Sequence, residues 1–153
     1  MEGSRLGGGP AGFAMASQND VPMAAKGVVL TQAFLGVNMT CARCHDSPDR
    51  ISSQKDLFSI AALLERRPIA LPETSTVPAR SDGTSPNIPV SLSPGDRIPG
   101  NWPFQTEPWS LGHASLELPR HADSRDRLAF WITAPQNHRF AQVIANRLWA
   151  RWL

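Results

Sequence analysis

The sequence predicts a mostly α-helical fold. Helices flank a Cys-x-x-Cys-His motif, a long Pro-rich irregular connector follows with at most a short β element, and the chain closes on a helical hairpin. Three observations carry this reading. Apolar residues recur at helical spacing before residue 68 and again after residue 122. Ten of the fourteen prolines lie between Pro68 and Pro119, which excludes helix over most of that stretch. Strand-like alternation is confined to Ile88, Val90 and Leu92, and Pro89 among them demotes the run to an edge.

Residues 1–20 are rich in Gly, Ala and Ser and read as a flexible tail. Asp20 is placed to cap a helix, with Pro22 behind it at a position that tolerates proline. Ala24, Val28, Thr31 and Leu35 form one stripe of that helix, with Phe34 beside it. Gly27 and Gly36 each cost about 1 kcal/mol relative to Ala within a helix, so a close neighbour is expected at either. Ser47-Pro48-Asp49 is a turn. Ser53 and Asp56 have capping-box spacing, and Leu57, Ile60, Ala61 and Leu64 follow on one face until Arg67-Pro68 ends the helix.

In the connector, Ser93-Pro94-Gly95-Asp96 is a turn, and Trp102, Phe104 and Trp109 are expected to anchor the loop to the core. Asp123 or Ser124 caps the next helix, whose apolar face is Leu128, Trp131 and Ile132, and Pro135 stops it. Asn137 caps a last helix carrying Phe140, Val143, Ile144, Leu148 and Trp152. The short turn between the two predicts a helical hairpin. Within that hairpin Asn146 and Arg147 are read as a buried polar network, with Arg147 as an anion or haem-propionate ligand in the functional alternative.

Composition bounds the function. With 153 residues, 41% hydrophobic and 18% charged, a wholly disordered polar chain is disfavoured. No apolar run reaches the length of a membrane span. A net charge of +2 gives no electrostatic reason to expect nucleic acid. Two cysteines are too few for a disulfide-rich scaffold or a four-cysteine zinc site. The first twenty residues lack a basic start followed by an apolar run of signal-peptide length. The last helical pattern meets neither Gly nor Pro before residue 153, so the chain is expected to be part of a longer polypeptide.

Both cysteines fall in Cys41-Ala42-Arg43-Cys44-His45. Cys-x-x-Cys-His is the attachment pattern of haem c. Its spacing puts Cys41 and Cys44 one helical turn apart, within reach of the two vinyl groups of one porphyrin. His45 follows the second thioether and is the proximal iron ligand in this reading. Candidates for a sixth ligand are His113, His121 and His138, or Met39, Met15 and Met23 upstream. Otherwise the ligand lies outside the chain, or water or an open position takes its place. The bland alternative is a surface dithiol: a disulfide, a thioredoxin-like pair, or half a zinc site. Thioredoxin chemistry wants a strand before the motif, where a helix is predicted here, and zinc needs a fourth, distant ligand. Glu65 and Glu73 read as dispersed surface carboxylates rather than an acid pair.

The stretch from Thr31 to Val37 running into CARCHDSP, then Ser53 to Phe58, resembles the end of the planctomycete cytochrome c-like domain. Asp123 to Ala129, Ile132 to Asn137, Arg139 to Val143 and Asn146 to Trp149 resemble the start of the planctomycete-specific domain of unknown function that follows it. The resemblance covers about residues 21–67 and 121–153, and the Pro-rich middle, residues 68–120, matches the family's variable connector. It implies covalent haem on Cys41 and Cys44 with His45 axial, in a large exported or cell-surface protein of which this chain would be a fragment. Many members carry a Cys-His-Asp-His pattern; here Ser47 follows Asp46, so that second His and any role it has are missing.

The expected function is a c-type haem module for electron transfer with an unknown redox partner. The alternatives are a haem-dependent oxidative enzyme acting on extracellular polymers, and a non-haem structural or binding module with a Cys41–Cys44 disulfide. Haem c is attached outside the cytoplasm, so the expected location is periplasmic or cell-surface.

Overall fold

Helix α1 spans Pro22–Leu30, with Pro22 in its first turn, where a missing N–H costs nothing. The computed structural model to which it belongs describes residues 21–49, 51–77, 88–104 and 123–152. Val21 stands at the N-cap without a side-chain cap, and Asp20 lies outside the described residues. The helix widens into a single π turn, Thr31–Leu35, and stops at Gly36, whose φ of 63° is left-handed. Ala24, Gly27, Thr31 and Leu35 are its buried line.

Helix α2, Gln54–Glu65, is the centre of the molecule. Ser53 and Asp56 form the predicted capping box, each side chain accepting from the other's backbone N–H. Sequence periodicity marked one apolar face, but every residue from Leu57 to Leu64 is buried, Ser59 included. The helix is enclosed because α1, the connector and the third helix each cover a different side of it. Its closest neighbour is α1. A Cβ on Gly27 would stand 3.1 Å from Leu57 Cδ1 and 3.5 Å from Ile60 Cγ2, so the glycine sets the helix spacing. The helix ends at Arg66, a non-glycine residue with φ 67°, one residue before the predicted stop.

The β element is a two-stranded antiparallel pair, β1 (Ile69–Ala70) with β2 (Arg97–Ile98), in the register Ile69–Ile98 and Ala70–Arg97. This corrects the expected strand at residues 88–92. Ile88 and Val90 are both exposed, so their alternation buries nothing, and Pro89 has no N–H to offer a ladder. Pro68, Pro72 and Pro99 bracket the observed pair and keep it short. Leu71 extends it by donating to the Asp96 carbonyl at 2.9 Å and accepting from Gly95 N–H at 2.8 Å. Gly95, with φ 89°, closes the predicted Ser93–Asp96 turn. Trp102 and Phe104 are buried as expected and meet edge to face at 5.1 Å. Trp109 lies outside the described residues.

Helix α3, Ser124–Thr133, begins with a capping box between Asp123 and Asp126. Its N-terminus closes the C-terminus of α2. Ser124 Oγ and Arg125 Nε, each at 2.6 Å, donate to the carbonyls of Leu63 and Leu64, and Arg66 pairs with Asp123 at 2.8 Å. Leu128 and Ile132 are buried, and the Trp131 ring meets Trp102 at a tilt of 36°, with centroids 5.7 Å apart. One hydrophobic core therefore draws on α1, α2, the connector and α3 alike.

Helix α4, His138–Trp152, differs from expectation. Asn137 caps it by accepting from Phe140 N–H, while its Nδ2 donates to the Trp131 and Ile132 carbonyls. Beyond this joint the two helices do not pack side by side as a hairpin; α4 lies on the π turn instead. Arg139 Nε and an Arg147 terminal nitrogen, each at 2.8 Å, donate to the carbonyls of Leu35 and Gln32. Asn146 and Arg147 are thus exposed and not a buried network. None of the residues of α4 is buried, and Leu148, Trp149 and Trp152 are more than half exposed.

Candidate functional site: the Cys-x-x-Cys-His turn

The chain enters the motif from the π turn through Val37 and Met39, both buried, and through an Asx turn at Asn38. Asn38 Oδ1 accepts from Thr40 N–H at 3.0 Å and from Thr40 Oγ at 2.6 Å. A 3₁₀ turn, Cys41–Arg43, follows. The N–H groups of Cys44 and His45 both point back to the Cys41 carbonyl, each at 3.1 Å, so the two cysteines are one turn apart as their spacing predicted. Met39 and Ala42 are fully buried and pin the turn to the core. Cys41 and Cys44 are free thiols, and both are exposed. The turn is therefore held from beneath by apolar contacts while its reactive groups meet solvent.

His45 is half-buried and its Nδ1 lies 2.7 Å from the Asp46 carbonyl. With Nδ1–H donated there, Nε2 carries the lone pair and faces no competing donor from this bond, which is the tautomer an imidazole ligand requires. Asp46 fixes the residue that follows the motif in three directions. Its N–H donates to the Pro89 carbonyl at 2.9 Å. Its Oδ1 accepts from Gln54 N–H at 2.8 Å and from Ser91 Oγ at 2.7 Å. The Gln54 bond joins the motif to the first turn of α2, where an anionic side chain is favoured by the helix dipole. Sequence reasoning missed Asp46 as a clamp; its partners lie 8 and 45 residues away, and no local pattern announces them.

Ser47 N–H donates to the Ser52 carbonyl at 2.8 Å, and Ser47 Oγ bonds Asp49. The Ser47 bond, then that from Ile51 N–H, hold the Asp49 carboxyl below its ordinary value. The loop leaving the motif is thus closed before α2 begins.

The structure separates the candidate sixth ligands. Met39 is a core residue with none of its surface exposed. His138 is exposed at the start of α4, and Met23 is half-buried in α1. His113, His121 and Met15 lie outside the described residues. Among the described residues no three His, Cys, Asp or Glu side chains converge to hold a bare metal ion. Among the described residues, clefts away from the motif lie between α1 and β1, between the π turn and α4, and on an apolar surface lined by Leu30, Phe34, Leu128 and Ile132.

The donor set fits haem c: two accessible thiols one turn apart, and an adjacent imidazole whose Nδ1 is already engaged. Ile88 and Val90, on either side of the Pro89 whose carbonyl accepts from Asp46 N–H, are both exposed. No helix among the described residues is long and apolar enough to cross a membrane. Compared with family models, curated proteins and solved structures, the chain finds no match.

Proposed function

We propose that this chain carries a covalently bound haem c, held by thioethers at Cys41 and Cys44 with His45 as proximal ligand, and that it serves electron transfer in an exported protein. The observation that supports the reading best is the His45–Asp46 arrangement. A histidine directly after a pair of accessible cysteines, with Nδ1 tied to a carbonyl, supports the reading because metal-binding histidines engage their other ring nitrogen in this way. The group supplies one-electron cycling of its iron. The chain's own residues do the rest. Ala42 and Met39 seat the turn, the Cys41 carbonyl gathers two N–H groups, and Asp46 holds the imidazole's carbonyl partner against α2. The same reading includes the resemblance to the planctomycete cytochrome c-like domain and the start of its companion domain.

The test is intact-mass spectrometry of the protein made in a host that matures haem c, beside a Cys41→Ala, Cys44→Ala double variant. The expected result is a haem adduct that survives denaturation in the wild type and vanishes in the variant. Equal masses, apart from the substitutions and a two-hydrogen loss in the wild type, would assign Cys41 and Cys44 to a disulfide and overturn the reading. Where the adduct forms, carbon monoxide binding separates an open iron suited to oxidative chemistry from a six-coordinate electron carrier.

A further inference from the structure

We propose that the outward face of α4 is a self-association surface, on which a second copy of this chain packs its own α4 antiparallel; this does not depend on the haem reading. Helix α4 is amphipathic, and a polar side is turned inward. Arg139 and Arg147 face the π turn, where they donate to the Leu35 and Gln32 carbonyls. The opposite side carries Ala141, Ala145, Leu148 and Trp152, at spacings of four, three and four residues, which is the a and d seam of a coiled coil. Ile144 and Trp149 flank that seam. Leu148, Trp149 and Trp152 are 54%, 70% and 77% exposed, so most of each side chain is open to a partner.

The order of side-chain sizes along the seam selects the occupant. Two small residues come first and two large ones last. An antiparallel copy sets Trp152 over Ala141 of its partner and Leu148 over Ala145, and the two-fold repeats both contacts in reverse, so every layer joins a large side chain to a small one. A parallel copy would stack alanine on alanine and tryptophan on tryptophan, and leave gaps where the small residues meet. The antiparallel register also keeps like charges apart. Arg151 borders the seam, and its two copies would stand about 13 Å apart along the axis, beyond the ~8 Å over which exposed charges act at physiological salt. An anionic lipid surface is the poorer occupant. Two of the three arginines of α4 are turned into the molecule, whereas an interfacial helix needs its cations around the apolar face. Trp149 and Trp152 of both copies, at roughly 150 Å² each, together with Ile144 and Leu148 approach the ~1,000 Å² at which specific interfaces begin. The dimer should therefore be weak, and the chain monomeric on dilution.

The test is sedimentation equilibrium of the full chain from about 5 to 500 μM, with reductant present so that Cys41 and Cys44 cannot link copies. The expected result is a monomer–dimer equilibrium with a Kd of about 10–100 μM. Leu148→Glu puts a carboxylate in the seam at a position already exposed in the monomer, and should weaken the dimer about tenfold or more with circular dichroism unchanged. Trp152→Glu should do the same, and Ile51→Glu, at an exposed position outside α4, should leave the dimer as it is. Ala145→Cys copies mixed with Leu148→Cys copies, each on a Cys41→Ala, Cys44→Ala background, should form mixed disulfides in excess of like-with-like ones under mild oxidation. A monomer throughout the range, a dimer indifferent to both glutamates, or an excess of like-with-like disulfides would overturn the proposal. Binding to phosphatidylglycerol vesicles by a chain that stays monomeric would overturn it too, and assign the face to a lipid surface.

Discussion

At Gly36 two constraints meet in one residue. Its φ of 63° is left-handed, and a Cβ there would stand 2.9 Å from Val143 Cγ2 of α4. Gly36→Ala should therefore destabilise the protein by about 1–2 kcal/mol from backbone strain alone, with the clash adding to it, as read from the denaturant midpoint. The prediction also reports on α4, because the substitution pushes on the seat of that helix. Gly27 and Gly36 were both legible in the sequence as glycines in want of a close neighbour. That one faces α2 and the other ends the helix was not, because both facts depend on partners distant in the chain. The one-turn separation of Cys41 and Cys44 was equally legible, since their spacing is a local pattern. Asp46 was not. Its role rests on Pro89 and Ser91, which reach it from the connector.

At the scale of single elements, the capping boxes are the features that the residues announced most clearly. Ser53→Ala removes the acceptor for Asp56 N–H and should cost about 1 kcal/mol in thermal or chemical unfolding. Asp123 caps α3, and the bond from Asp126 N–H, with that from Arg125 N–H and the charges of Arg66 and Arg125, holds its carboxyl below its ordinary value of 3.8. A carboxylate lowered by folding contributes stability that is complete above its unfolded value and is lost as pH falls through its folded one. Asp123→Asn keeps a capping side chain but no charge. The stability difference between wild type and variant should thus be flat from about pH 5 to 8 and shrink below about pH 4. A difference independent of pH would refute the capping charge. The strand was misplaced in the sequence for a physical reason. Alternation at Ile88, Val90 and Leu92 looked like a pleat, but exposed residues gain nothing from pairing, whereas Ile98 and Leu71, each buried, do.

Across the whole molecule, α2 is the element that the others share. Phe58, fully buried in its middle, is the largest of the fully buried side chains among the described residues, and Phe58→Ala should cost about 3–5 kcal/mol, enough to abolish folding in a marginal domain. Hydrogen exchange should be slowest in α2 and fastest in the second half of α4, where every residue is exposed. A mostly helical chain with a short β element was visible in periodicity and proline placement. The helical hairpin was not realised, because adjacency in sequence says nothing about which surface a helix prefers; Arg139 and Arg147 find the π turn, 104 and 115 residues away. The haem reading remains the claim on which function turns. The most direct test is an alkaline pyridine haemochrome spectrum of protein made with haem c maturation, beside the Cys41→Ala, Cys44→Ala variant. The account predicts a c-type band in the wild type that resists acid–acetone extraction and is absent from the variant. A folded, exported wild-type protein without that band would contradict it.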